Sequence, residues 1–165
     1  MVSVSEIHDM VINNDTKRLI DAFNEEELLI KIEIVNALAT QNGQAAVEPL
    51  IELLYCEMSY DDMRLGENDL SLDILYLLSE ALQQLNPHSI EPLIYTLRKN
   101  KTHSSNITII KILGEIGDSR AGDELLNILS NKEQRLFHGN AALSLAKIGD
   151  KRVIDKINEV LTLPY

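Results

Sequence analysis

The chain has no tryptophan, two phenylalanines and five tyrosines. Any core it builds must be aliphatic, and Leu and Ile do recur throughout. Cysteine occurs once, at Cys56, which excludes an internal disulfide and fits a reducing compartment. No apolar run approaches the ~20 residues needed to span a bilayer. The opening stretch MVSVSEIHDMVINND lacks the basic and apolar segments of a secretion signal. These absences predict a cytoplasmic protein with no membrane contact.

Chemistry-bearing motifs are also missing. There is no Gly-x-Gly-x-x-Gly, no phosphate-binding Gly-Lys-Ser/Thr, no Gly-x-Ser-x-Gly and no Cys-x-x-Cys. His8, His88, His103 and His138 are scattered, as is Cys56, and each reads as a packing or surface residue. No catalytic residue, metal ligand or cofactor site is expected. Basic residues are scarce as well, 15 Lys/Arg against 26 Asp/Glu, for a net charge of −11. Residues 1–97 hold 18 acidic and four basic side chains, and residues 98–165 hold eight and eleven. The acidic end should repel nucleic acid and anionic membrane and favour basic surfaces.

With 45% apolar and 25% charged residues over 165 positions, the chain can fold as one domain of ordinary size. It also repeats itself. Paired apolar steps begin at Leu19, Leu50, Leu93, Leu125 and Ile157, at intervals of 31, 43, 32 and 32 residues. Five units follow, about 1–24, 25–56, 69–100, 103–130 and 131–163, with an insertion over 57–68. Each unit holds two helical patterns. Val47, Leu50, Ile51 and Leu54 form one apolar stripe, and Ile90, Leu93, Ile94 and Leu97 repeat it. Strand periodicity is absent. Pro49 and Pro92 are compatible with helices that begin two or three residues earlier, where no N–H partner is required.

ILGEIGDSRAGDELLNIL, from Ile112, and SLAKIGDKRVIDKINEVL, from Ser144, share Ile-Gly-Asp. Gly117 and Gly149 suit left-handed C-caps. Asp118 and Asp150 suit the start of the next helix, where a carboxylate meets free N–H groups. Two helices alone cannot bury their apolar faces, whereas stacked copies can. The corner recurs because each unit must turn it.

LGEIGDSRA, from Leu113, and LAKIGDKRV, from Leu145, resemble the HEAT-like repeats also found in phycobilin lyase subunits, whose turn runs roughly Leu-Gly-x-Ile-Gly-Asp-x-Arg-Ala. The resemblance covers about 24–163 and implies an all-α, right-handed α-solenoid of about five HEAT-like helix pairs. It also implies that Arg120 and Arg152 pair with an aspartate of an adjacent repeat. Enzymes built on such repeats fit poorly. The di-iron deoxyhypusine hydroxylase needs His-Glu steps, which are absent, and a DNA glycosylase needs a basic, aromatic groove.

Stacking the units in register aligns second-helix positions outside the apolar stripe. Glu48, Glu91, Asp123 and Asp155 form one column; Glu52, Tyr95, Asn127 and Glu159 form another; unit one contributes Lys17 and Asp21. Six of the eight side chains from units two to five are carboxylates. They are the expected contacts for a basic protein or peptide, with Tyr95 as an aromatic anchor. Tyr60, Asp61, Asp62, Met63 and Arg64 in the insertion are a further candidate contact. The residues therefore predict a non-catalytic protein-interaction module. A partner-dependent subunit of the bilin lyase type is the alternative that the resemblance implies. A third reading is a homo-oligomer assembled head to tail by its unlike charged ends.

Overall fold

A computed structural model describes residues 2–25, 27–40, 43–61 and 70–162, with the side chains at 25, 57–61, 70–72 and 159–162 outside that description. Among the described residues the chain is all-α, with ten α-helices and no strand. They are α1 (Val4–Ile12), α2 (Thr16–Glu25), α3 (Leu28–Thr40), α4 (Gln44–Asp61), α5 (Leu70–Gln84), α6 (Ile90–Lys99), α7 (Asn106–Ile116), α8 (Gly122–Ser130), α9 (His138–Ile148) and α10 (Arg152–Thr162). No helix among these residues is long and apolar enough to cross a membrane.

The chain divides into two compact units, residues 1–89 and 90–165. In the first, α1 packs on α2 and α3, α3 on α4 and α5, and α2 on α4. In the second, α7 packs on α9, α8 on α9 and α10, and α6 on α7. Within each unit, first helices stack on first helices and second helices on second helices, the arrangement of a helical repeat. The cores are aliphatic, as the composition requires: Ile34, Leu50, Leu54, Leu78 and Leu82 in one, and Leu93, Ile109, Ile110, Leu113, Leu125 and Leu145 in the other. The two phenylalanines, Phe23 and Phe137, are each buried in one of them.

Local chemistry sets the boundaries. Ser3 opens α1 with a capping box: its hydroxyl accepts the N–H of Glu6 at 3.3 Å, and the Glu6 carboxylate accepts the N–H of Ser3 at 2.8 Å. Gly117 and Gly149 end α7 and α9 at φ 73° and 80°, the left-handed conformation that glycine adopts without a Cβ penalty. Asp118 caps a 3-10 turn, Ser119–Ala121, that leads into α8. Pro92 is the third residue of α6, where no N–H partner is needed. Pro49 differs from expectation: α4 starts at Gln44, so the proline lies inside the helix and removes one ladder bond. α4 also continues to Asp61, so the first part of the insertion extends a helix.

Close packing between α7 and α9 depends on small residues. Ser144 lies buried against Gly114, where an added Cβ would fall 2.5 Å from the serine Oγ and 2.8 Å from its Cα. The Ser144 hydroxyl donates to the carbonyl of Ile110 at 2.8 Å.

A groove between two second helices

The two Gly-Asp corners of the 90–165 unit are built alike. Asp118 accepts the N–H of Arg120 at 2.9 Å and is clasped by its guanidinium, Nε at 3.0 Å and Nη2 at 2.7 Å. Asp150 holds Arg152 in the same way, at 3.0, 3.0 and 2.7 Å. Hydrogen bonds from Arg120 and Arg152 hold the Asp118 and Asp150 carboxyls below the usual aspartate range. Both guanidinium pKa values are pushed up in turn by those aspartates. Each arginine also reaches one repeat back: Arg152 Nη1 donates to Asp123 on α8 at 2.7 Å, and Arg120 lies 4.0 Å from Glu91 on α6.

These contacts change the character of the predicted columns. Glu91 and Asp123 are exposed, yet each already faces an arginine of the following corner. Tyr95 is 64% exposed on α6. Asn127 on α8 and Asp155 on α10 are exposed, as are Glu48 and Glu52 on α4 in the other unit. The side chains of Glu159, Tyr60 and Asp61 lie outside the described residues, and Asp62, Met63 and Arg64 lie outside them altogether.

Three predicted positions converge. Asp123, Asn127 and Asp155 line an open groove of about 460 Å³ between α8 and α10, together with Leu126, Ser130, Arg152 and Lys156. The surface is therefore of mixed charge, with two carboxylates, a guanidinium and an ammonium. The preceding layer fills the matching positions differently. There Arg98 on α6 donates to the buried Glu124 on α8 at 2.7 Å, and Glu124 hydrogen-bonding pushes the Arg98 pKa up. Thirty-two residues on, Ser130 and Lys156 occupy the matching places. Ser130 turns its hydroxyl back onto the carbonyl of Leu126 at 2.7 Å. In this layer α10 and α8 are bridged instead by Arg152 and Asp123. Reading only the two acidic columns missed Ser130 and Lys156 and left Arg152 a corner residue; a column through Arg98 and Glu124 would have exposed the exchange.

Elsewhere, the sequence-singled residues have local roles. His8 Nδ1 lies 2.9 Å from the Val4 carbonyl, His138 Nε2 lies 2.9 Å from the Asn131 carbonyl, and His103 Nδ1 accepts the N–H of Ser105 at 3.3 Å. Cys56 is half-buried on α4. Among the described residues no three His, Cys, Asp or Glu side chains converge as metal ligands.

Residues 139–162, which form nearly all of α9 and α10, match the family described as PBS lyase HEAT-like repeat. The chain is also similar to the bilin biosynthesis protein PecF of Mastigocladus laminosus, at 34% identity over 90 residues, covering 50% of this chain and 42% of that protein. The chain thus spans less than half the length of that relative. These similarities run against the expectation of a protein with no enzymatic role, since one match is to a repeat named for PBS lyase and the other to a bilin biosynthesis protein.

Proposed function

We propose that this chain is a partner-dependent subunit of the bilin lyase type, and that the α8/α10 groove contacts its substrate. The observation that carries this reading is a coincidence of place. The segment matching the PBS lyase HEAT-like repeat supplies one wall of the groove, with Arg152, Asp155 and Lys156. A bilin is an open-chain tetrapyrrole bearing ionised propionates and pyrrole N–H groups. Arg152 and Lys156 offer charge-assisted donors to carboxylates, and Asp123 and Asp155 offer acceptors to N–H groups. Leu126 supplies apolar surface beneath them. The chain's part is to bind and orient; the partner subunit completes the reacting site. In this reading the exposed Glu48 and Glu52 on α4 meet a basic surface of that partner in the cytoplasm, and Glu91 and Tyr95 on α6 are a separate contact.

The test uses the preceding layer as a template. Ser130→Arg with Lys156→Glu should recreate the Arg98–Glu124 pair and close the groove. Free phycocyanobilin is titrated into the wild type and the double variant, and its visible absorption is followed. A saturable band shift in the wild type, lost in a fully helical double variant, supports the reading. Equal shifts in both, or none in either, would overturn the groove as the bilin site.

A further inference from the structure

The repeat register points to a further surface, which shares Asp155 with the α8/α10 groove. The first two carboxylates of the first column in the 90–165 unit each take an arginine from the next corner: Glu91 from Arg120, and Asp123 from Arg152. Asp155 is the next rung, exposed, with no cation at ion-pair distance among the described residues. Beside it, α9 shows its other side. Gly139 and Ala146 are exposed on the side matching the α7 face that α9 covers, where Ala146 stands in the place of Gly114; Leu143 beside them matches the exposed Lys111. An added Cβ at Gly139 would meet nothing within 4 Å, and Leu143 is 55% exposed.

The opposite half of such a contact exists in the same chain. Asn14 is the one described non-glycine residue at positive φ, 52°, and it separates α1 from α2 as Gly117 separates α7 from α8. Asp15 follows it and accepts the N–H of Arg18 at 3.3 Å, as Asp118 accepts that of Arg120. Asn14-Asp15-Thr16-Lys17-Arg18 is therefore a variant of the Gly-Asp-x-Arg corner, with Lys17 and Arg18 exposed in the arginine's place. The α1 positions that match the α7-packing face of α9 are Glu6, Asp9 and Ile12, all exposed, with Ile12 at 69%.

We propose that α1 and the Asn14 corner of a second copy of this chain dock on α9 and α10 as a following repeat would. Lys17 or Arg18 of the second copy takes the open rung at Asp155, and Ile12 packs on Leu143 and Ala146. Charge complementarity selects this occupant: residues 1–89 carry 17 acidic against four basic side chains, and residues 90–165 carry nine against eleven. Around the receiving face, Arg135 and Lys151 are exposed to meet Glu6 and Asp9. The contact joins unlike surfaces, so it propagates head to tail.

Sedimentation velocity of the intact chain across a concentration series tests this. The mean mass should rise above 18.6 kDa with concentration at low salt and return toward it at high salt. Asp155→Lys, and Lys17→Glu with Arg18→Glu, should each weaken association several-fold, and an equimolar mixture of the two variants should restore it, because every new contact then pairs opposite charges. Leu143→Asp should suppress association while the helical circular dichroism is kept. A single 18.6 kDa species under all conditions overturns the proposal, as does association that these exchanges leave unchanged.

Discussion

At the residue scale, the two Gly-Asp corners combine a backbone constraint with an electrostatic one. Gly117 and Gly149 have open space where a Cβ would stand, so a substitution there meets the positive φ and no steric neighbour. Gly117→Val and Gly149→Val should each lower unfolding free energy by about 1–3 kcal/mol, as strain at a left-handed position does. Gly139→Ala, in open space on a helix, is the control and should be neutral or slightly stabilising, read by urea denaturation. Equal midpoints for all three would show that the caps are unconstrained. The aspartates add a pH signature. Asp118 and Asp150 titrate below the unfolded value of about 3.9. Their contribution is complete above that value and lost as pH falls through the folded pKa values, because the unfolded chain then binds protons more readily. Asp150→Asn should therefore destabilise at neutral pH, with the gap to wild type narrowing in acid. A gap that stays constant with pH would mean the Arg152 clasp contributes nothing.

At the element scale, the apolar stripes were legible in the sequence, since Leu19, Leu50, Leu93 and Leu125 are all buried. So were the glycine caps, because few residues serve at positive φ. The Asn14 corner was not, because asparagine replaces glycine there and no 3-10 turn separates it from α2. Nor was the length of α4, which runs on into the insertion without a sequence break. The groove was hidden for a different reason: it depends on two exchanges in one column, Arg98 to Ser130 and Glu124 to Lys156, and neither is unusual alone. The intact layer offers its own test. Arg98→Ala should lower the melting temperature by stranding the buried Glu124 carboxylate, since a buried charge without its partner is costlier than an apolar pair. Adding Glu124→Gln should recover part of the loss. An Arg98→Ala variant that melts like wild type would show that this pair does not fasten α6 to α8.

For the whole molecule, the partition at residues 89 and 90 left no mark in the repeat spacing, because each layer of a repeat protein interacts with its neighbours and stability sums over layers. The acidic-to-basic change along the chain falls close to that boundary and was the visible trace of it. The second unit is small, and a core of that size is normally marginal. Several of its buried polar side chains are nonetheless tied, although the Ser105 hydroxyl is buried without a partner. Buried Asn106 donates to the Asn100 carbonyl at 2.6 Å, and buried Gln134 donates to the Lys101 carbonyl at 2.9 Å, so the connection between α6 and α7 is fixed from within. Ser144 and Gly114 lock α9 to α7, and Arg152 links α10 to α8. Residues 90–165 expressed alone should therefore give a predominantly helical circular dichroism spectrum and a cooperative thermal melt. Gly114→Ala in that fragment should abolish the cooperativity, because the new Cβ would meet the Ser144 backbone as well as its flexible hydroxyl. A fragment that melts without a transition would show that its layers need the acidic unit to fold. One indifferent to Gly114→Ala would place its stability elsewhere than in the α7/α9 contact.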